Sequence, residues 1–202
     1  MSEGPALRIA ATVACTEAEG PGRRFAVWVQ GCALRCPGCC NPELFAREGG
    51  VTVPVRELAA ALRAARDVHR IEGLSVLGGE PTDQLPGVAA LVHEARALGL
   101  GVLVFTGRTL DEVRTLPGSA ELLASVDTLI DGRFEASRRE PPGGRRWIGS
   151  ANQRIVHLTA RYADPGLWRG ANHVELQIDA SGRVTAHGAP DLVRRVLRSM
   201  SG

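Results

Sequence analysis

Leu74-Ser75-Val76-Leu77-Gly78-Gly79-Glu80-Pro81 is the stretch on which the reading of the fold turns. Its apolar half is short enough for a buried strand and stops abruptly at two glycines. Leu85, Val88, Leu91, Val92, Ala95 and Leu98 then recur at helical spacing, with Gly99 placed as the C-terminal stop. Val102-Leu103-Val104-Phe105 is the next apolar run. Strand, helix and strand in this order form a βαβ unit, which predicts a parallel sheet.

The same alternation extends outward. Upstream, Leu7 to Val13 and Phe25 to Val29 read as strands, separated by a polar turn from Glu17 to Gly22. Pro54 suits the first turn of a helix carried by Val55, Leu58, Leu62 and Ala65. Downstream, Thr109 and Glu112 form a capping-box pattern for one further helix, Val126 to Ile130 is a strand closed by Asp131-Gly132, and Arg154 to Leu158 is another strand. A closed eight-stranded βα barrel takes about 250 residues. The 202 residues here leave room for about five or six βα units and so for an open, partial barrel of α/β class with five or six parallel strands. Arg138 to Gly144 reads as a loop. Val174 to Ile178, Ser181-Gly182 and Val184 to Ala186 read as a β-hairpin, and Pro190 to Met200 as a terminal helix. The whole, 1–202, is expected to be one domain, with a core over about 7–158 and a C-terminal extension over about 159–202.

Composition narrows the function classes. With 44% apolar and 23% charged residues the chain is globular, and it is long enough to bury a core without metals or disulfides as staples. A net charge of +2 gives no reason to expect a nucleic-acid partner. Every basic residue is Arg, so lysine Schiff-base chemistry is excluded. No run of about 18 apolar residues predicts a membrane span. Met1-Ser2-Glu3-Gly4-Pro5 lacks the pattern of a secretory signal, so a cytoplasmic, reducing location is expected. In such a compartment cysteines are ligands or reactive thiols before they are disulfides.

The chemistry concentrates in Gly31-Cys32-Ala33-Leu34-Arg35-Cys36-Pro37-Gly38-Cys39-Cys40-Asn41-Pro42. Three thiolates, Cys32, Cys36 and Cys39, fit one compact loop wrapped around a cluster. A [4Fe–4S] cube normally takes four cysteines; a loop offering three leaves one iron open to substrate, by the logic that separates catalytic from structural zinc sites. The competing reading is a structural zinc site with Cys40, Cys15 or one of the scattered histidines as fourth ligand, although the second Cys-x-x-Cys pair usual in zinc ribbons is missing. Cys40 directly follows Cys39, so its side chain is expected to point elsewhere; Cys15 is expected to be a small buried residue. One helix and one strand beyond the loop, Gly78, Gly79 and Glu80 sit at the strand end where parallel α/β folds bind ligands, although Gly-Gly-Glu-Pro is also a common turn composition. Thr106-Gly107-Arg108 and Asp131-Gly132-Arg133 end the next two strands and offer either ligand contacts or turn and cap roles.

Together these residues resemble the radical S-adenosylmethionine superfamily and, within it, the activating enzymes of anaerobic (class III) ribonucleotide reductase. The resemblance runs through Gly20-Pro21-Gly22-Arg23, the Cys32–Asn41 motif, Gly78-Gly79-Glu80-Pro81, Phe105-Thr106-Gly107, Asp131-Gly132-Arg133-Phe134 and Trp147-x-Gly149-Ser150-x-Asn152-Gln153. Ile148 and Ala151 stand where that last segment often has Arg and Ser. The resemblance implies a partial barrel of the radical S-adenosylmethionine type and one [4Fe–4S] cluster on the catalytic cysteines Cys32, Cys36 and Cys39. It implies that S-adenosylmethionine chelates the open iron, with Gly78, Gly79 and Glu80 around its methionyl ammonium, backbone at Gly38 and Cys40 against the adenine, and Thr106 at the same rim. An electron from flavodoxin or ferredoxin would cleave the sulfonium, and the 5′-deoxyadenosyl radical would take a hydrogen from a glycine of a partner glycyl-radical enzyme. The alternatives are a radical enzyme acting on a peptide or small metabolite and, more distantly, a zinc-binding or electron-carrier module.

Overall fold

The structure, a computed structural model, describes residues 4–178, 181–182 and 184–200. Met1 to Glu3 at the start, Asp179, Ala180 and Arg183 in the hairpin turn, and Ser201 and Gly202 lie outside the described residues, and with them part of the leader and extension readings.

The main sheet comprises β1 (Ala6–Thr16), β2 (Arg24–Val29), β3 (Val51–Pro54), β4 (Gly73–Gly78), β5 (Gly101–Phe105), β6 (Thr128–Asp131) and β7 (Arg154–His157), in the order β3-β1-β2-β4-β5-β6-β7. Only β2, β4, β5 and β6 run parallel as neighbours; β1 pairs antiparallel with β2 and β3, and β7 antiparallel with β6. The expected five or six parallel strands are therefore four, in a mixed seven-stranded α/β sheet. The reason is chain length. The turn between Thr16 and Arg24 is too short for the dozen or more residues a parallel crossover needs, so β2 must fold back on β1. The segment between β6 and β7 contains only a short 3₁₀ turn, Ala136–Arg138, and no helix to carry the chain across the sheet.

The crossovers are α1 (Val55–His69), α2 (Leu85–Ala97), and α3 (Leu110–Arg114) with α4 (Ser119–Ser125). Thr109 caps α3 through the expected box with Glu112, but the single helix foreseen there is two, because Pro117 has no N–H to continue the ladder. Pro54 ends β3 and caps α1 rather than lying in its first turn. Leu58 and Leu62 of α1 and Val88, Leu91 and Val92 of α2 share one core cluster with Leu74, Val76, Val102, Val104 and Leu129 of the sheet. The alternate strand positions Leu103 and Ile130 belong to a second, smaller cluster with Ile148, Tyr162 and Trp168. The two-residue period of a strand thus sorts its side chains between two cores.

The edge of this second core holds the fully buried Arg24. Its guanidinium donates to Ser75 Oγ (2.7 Å), Pro21 O (3.0 Å), Tyr162 Oη (2.8 Å), Leu74 O (2.7 Å) and Gly101 O (3.1 Å). The charge is solvated by neutral oxygens drawn from four separate parts of the chain, so losing it orphans several buried acceptors at once. Arg24→Ala, which leaves several buried carbonyl and hydroxyl oxygens without a donor, is expected to cost about 3 kcal/mol or more of folding stability, read by urea denaturation; an unshifted midpoint would refute this role.

The extension forms β8 (Val174–Ile178), β9 (Val184–Gly188) and α5 (Pro190–Met200), as foreseen, with the two strands in a separate antiparallel sheet. It is tied to the core by Gly188 N–H to Glu19 Oε1 (2.8 Å), by Glu17 N–H to Glu175 Oε1 (2.7 Å) and by the edge-on contact of His187 with Trp28; within the hairpin His187 lies 3.1 Å from Glu175 Oε2. Burial pushes the Glu19 carboxyl up to about 7, against the opposing Gly188 N–H bond and with a further push from Glu175. A carboxyl raised in the folded state contributes stability that is complete below about 4.5 and is lost as pH rises through about 7. Amide-exchange protection at Gly188 should therefore fall by up to about a hundredfold between pH 5 and 8, and Glu19→Gln should flatten that dependence.

Candidate iron–sulfur and cofactor site

The cysteine loop leaves the end of β2 and is fastened on its way back by a buried amide. Gln30 Nε2 donates to the carbonyls of Glu43 (3.1 Å) and Ala46 (2.6 Å), while Gln84 Nε2 donates to Gln30 O (3.0 Å). Gly31 N–H bonds Leu44 O (2.9 Å) and Cys32 N–H bonds Phe45 O (3.1 Å), closing the base of the loop.

The three parallel strands after it deliver their C-terminal ends to this loop. At β4, Gly79 N–H donates to Val29 O (2.8 Å) and Glu80 N–H to Gly31 O (2.9 Å). A Cβ on Gly78, which has φ +107°, would lie 2.8 Å from Trp28 Cα; one on Gly79 would lie 2.2 Å from Gly31 O. The glycine pair is thus required by the approach of two backbones, whatever else it contacts. At β5, a Cβ on Gly107 would meet the side chain of Leu34, which lies between the first two cysteines (2.5 Å). At β6, the following loop brings Phe134 and Ala136 against Gly38, where a Cβ would sit 3.0 Å from Ala136 Cβ and where φ is +73°. Cys32 to Cys39, Gly78 to Glu80, Thr106 to Arg108 and Arg133 to Ala136 consequently share one end of the sheet.

Glu80 is 1% exposed. Its Oε1 accepts from Thr82 N (3.0 Å), Thr82 Oγ1 (2.6 Å) and Thr106 Oγ1 (2.7 Å), and Oε2 accepts from Gly107 N (2.9 Å). Thr106, itself buried, also accepts from Arg108 N (3.1 Å). The carboxylate expected at an open rim is here the buried node that joins the ends of β4 and β5. Asp131 is likewise engaged within the fold, capping α3 at Leu110 N (2.7 Å) and binding Arg154 (2.8 Å).

Asn152, Gln153 and Ser150, quoted above only as marks of a resemblance, have a mechanical role. Asn152 Nδ2 donates to Arg133 O (2.7 Å), Gln153 Nε2 to Gly132 O (3.0 Å), and Ser150 Oγ accepts from Glu135 N (3.1 Å). They staple the loop that covers Gly38. Ile148 is buried beside Leu103 and Ile130 in the second core, which suits an apolar side chain at that position. Among the residues that sequence reading passed over are Gln30, Leu34, Thr82 and Asp83. A polar side chain directly before Gly31, and Thr-Asp directly after Glu80-Pro81, were the available signals.

All five cysteines are free thiols. Cys32, Cys36 and Cys39 are half-buried on one loop. The Cys39 thiol is drawn down to about 6, chiefly by a hydrogen bond from the Cys40 thiol and against its own burial; Cys40 is pushed up by the same bond. Cys40 therefore does not point away from Cys39. A low-pKa thiol is a ready thiolate ligand, whereas burial pushes the Cys32 thiol up. Cys15 lies partly buried against the main core, and burial raises its thiol too. Among the described residues no group of three or more His, Cys, Asp or Glu side chains is gathered closely enough to hold a single metal ion. A cube is held differently, each thiolate binding a separate iron corner, and three free thiols spread along one loop fit that donor pattern. Two cavities of about 530 Å³ each, one against α1 and α2 and one near Glu72 and Tyr162, do not touch this loop.

Residues 18–156 match the family described as a 4Fe-4S single cluster domain, which defines the class as an iron–sulfur protein domain carrying one cluster. The chain is 32% identical over 146 residues to the anaerobic ribonucleoside-triphosphate reductase-activating protein of Salmonella typhi, covering 69% of this chain and 91% of that one. It is 33% identical over 147 residues to the protein of that name from Pasteurella multocida (69% and 90%) and 31% identical over 163 residues to that of Enterobacteria phage T4 (77% and 94%). The chain belongs to the family of anaerobic ribonucleoside-triphosphate reductase-activating proteins.

Gly79→Ala tests whether the glycine contact seats the cysteine loop. Because the added Cβ would meet backbone rather than a flexible side chain, anaerobically reconstituted Gly79→Ala should lose most of its iron and sulfide while keeping a folded circular-dichroism spectrum. Full cluster uptake would show that the contact is dispensable.

Proposed function

We propose that this chain is a glycyl-radical activase that holds one [4Fe–4S] cluster on Cys32, Cys36 and Cys39, binds S-adenosylmethionine beside it, and activates an anaerobic ribonucleoside-triphosphate reductase. The observation that carries this reading is the convergence of the three-cysteine loop with the ends of β4, β5 and β6, in a chain of the activating-protein family. Cys32, Cys36 and Cys39 would hold the cluster, which would supply the electron for reductive cleavage of S-adenosylmethionine, and the hydrogen atom abstracted would come from a glycine of the reductase.

The remaining work falls to the chain's own residues. Gly78, Gly79 and Glu80 border the methionyl ammonium, Glu80 as a carboxylate already fixed by Thr82, Thr106 and Gly107. Such a prearranged negative charge needs no reorganisation when the cation arrives. Backbone at Gly38 and Cys40 lines the adenine, with Phe134 and Ala136 packed behind Gly38 to exclude water. The mixed sheet, with its edge strands β3 and β7 at opposite ends of the strand order, serves as the open partial barrel, leaving a way in for a segment of the partner. Flavodoxin or ferredoxin is the reductant. No helix among the described residues is long and apolar enough to cross a membrane, and the proposal places the protein in the reducing cytoplasm, where free thiols persist.

The test is anaerobic incubation with dithionite, S-adenosylmethionine and the candidate reductase. Wild type should form 5′-deoxyadenosine and a glycyl-radical resonance on the reductase, and Cys36→Ala should reduce both to background. If 5′-deoxyadenosine forms freely but no glycine becomes a radical, the activase assignment fails. A wild-type protein that takes up no iron would remove the cluster itself.

A further inference from the structure

Asp83 has no part in the function proposed above, yet its carboxylate spans the gap between the cysteine loop and the strand ends. It sits on the 3₁₀ turn Pro81–Gln84 that follows Glu80. Oδ2 accepts the backbone N–H of Ala33 (2.8 Å), the residue next to Cys32, and Oδ1 accepts from Arg108 Nη2 (2.9 Å). Arg108 Nη1 donates to Thr82 Oγ1 (2.6 Å) and lies 3.7 Å from Glu80 Oε1, while Thr82 Oγ1 donates to that same oxygen (2.6 Å). A continuous strut therefore runs from the Ala33 amide through Asp83, Arg108 and Thr82 to the buried Glu80 carboxylate.

A surface ion pair of this kind would ordinarily contribute little. This one differs in burial and in what it holds. The Arg108 and Asp83 side chains are only 19% and 23% exposed. Both Asp83 oxygens are engaged, one of them by a main-chain N–H of the cysteine loop itself, fifty positions away in sequence. Arg108 reaches Thr82 as well as Asp83, so the guanidinium is fixed at two points rather than free to swing.

We infer that Asp83, oriented by Arg108, is a positioning residue that sets the Cys32 side of the cysteine loop over the Gly78–Glu80 strand end, and so fixes the cluster relative to the methionyl group of S-adenosylmethionine. The inference rests on the cofactor reading above. A ligand that bridges two elements, here the loop and the strand end, binds well only if their spacing is held before it arrives. Glu80 N–H to Gly31 O holds the root of the loop; Asp83 extends that hold one residue beyond Cys32. Its role is geometric: both Asp83 oxygens are directed at partners within the fold, the Ala33 N–H and the Arg108 guanidinium.

The experiment is an S-adenosylmethionine titration of the reduced, reconstituted protein, followed by the electron paramagnetic resonance spectrum of the cluster, with iron and sulfide content and circular dichroism as controls. Asp83→Ala should load its cluster and keep its fold, yet bind S-adenosylmethionine about tenfold more weakly, the size expected for losing one charge-assisted hydrogen bond. Asp83→Asn, which keeps an oxygen for the Ala33 N–H, should fall between the two. Arg108→Met, which leaves Asp83 in place but unoriented, should weaken binding about threefold and stands in if Asp83→Ala does not fold. Wild-type affinity in Asp83→Ala or in Arg108→Met, or an Asp83→Asn protein no better than Asp83→Ala, would overturn the inference. A wild-type spectrum that does not respond to S-adenosylmethionine would instead sink the cofactor reading.

Discussion

The contact between the glycine end of β4 and the backbone leaving β2 governs this molecule. Gly79 N–H reaches Val29 O, Glu80 N–H reaches Gly31 O, and neither glycine has space for a Cβ. Parallel strands normally diverge into their loops once the ladder ends. Here the ladder is prolonged past the last paired residues, so the cysteine loop begins in van der Waals contact with the next strand's turn. Where the cysteines stand, which strand ends they face and how closely Leu34 meets Gly107 all follow from that seam.

Around the seam the buried carboxylate of Glu80 is fully occupied. A carboxylate buried like that of Glu80 would be costly if left bare, and two hydroxyls and two main-chain N–H groups offset the cost. The same economy of partners appears at Asp131, Asp127 and Arg24, each buried and each satisfied by groups from distant parts of the chain. Such networks fix strand ends in one arrangement and resist small displacements. Asn152 and Gln153 add carbonyl staples at Gly132 and Arg133, so the wall behind Gly38 is held from its far side too.

The C-terminal hairpin and α5 are attached by different means from the segment before them, whose Tyr162 and Trp168 are buried in the second core. No apolar side chain of α5 described here is fully buried, and Leu176, Ile178 and Leu197 are exposed. What holds them is a set of polar and ring contacts to the rest of the chain: Glu19 with Gly188, the Glu17 N–H with Glu175, His187 with Trp28, and Asp191 with Arg139 on the loop between β6 and β7. Arg194 of α5 is near enough to act electrostatically on Cys40. The extension thus reaches the neighbourhood of the cysteine loop on polar attachments, which open more readily than a packed core.

The sequence by itself determined the local elements and the chemical inventory. Apolar periodicity placed α1 and α2, Thr109 and Glu112 announced their capping box, the hairpin and α5 were legible, and the cysteine spacing pointed to a cluster, because each of these is written in near-neighbour residues. Strand direction was not so written: β1 and β7 look like their parallel neighbours, and only the length and content of the connecting chain turned them over. Nor could the sequence tell that Glu80 would be enclosed by Thr106 and Gly107, that Cys40 would turn toward Cys39, or that Asp83 would reach back to Ala33. Those outcomes depend on which strand ends lie side by side, and that is decided by long-range pairing rather than by any residue's own preference.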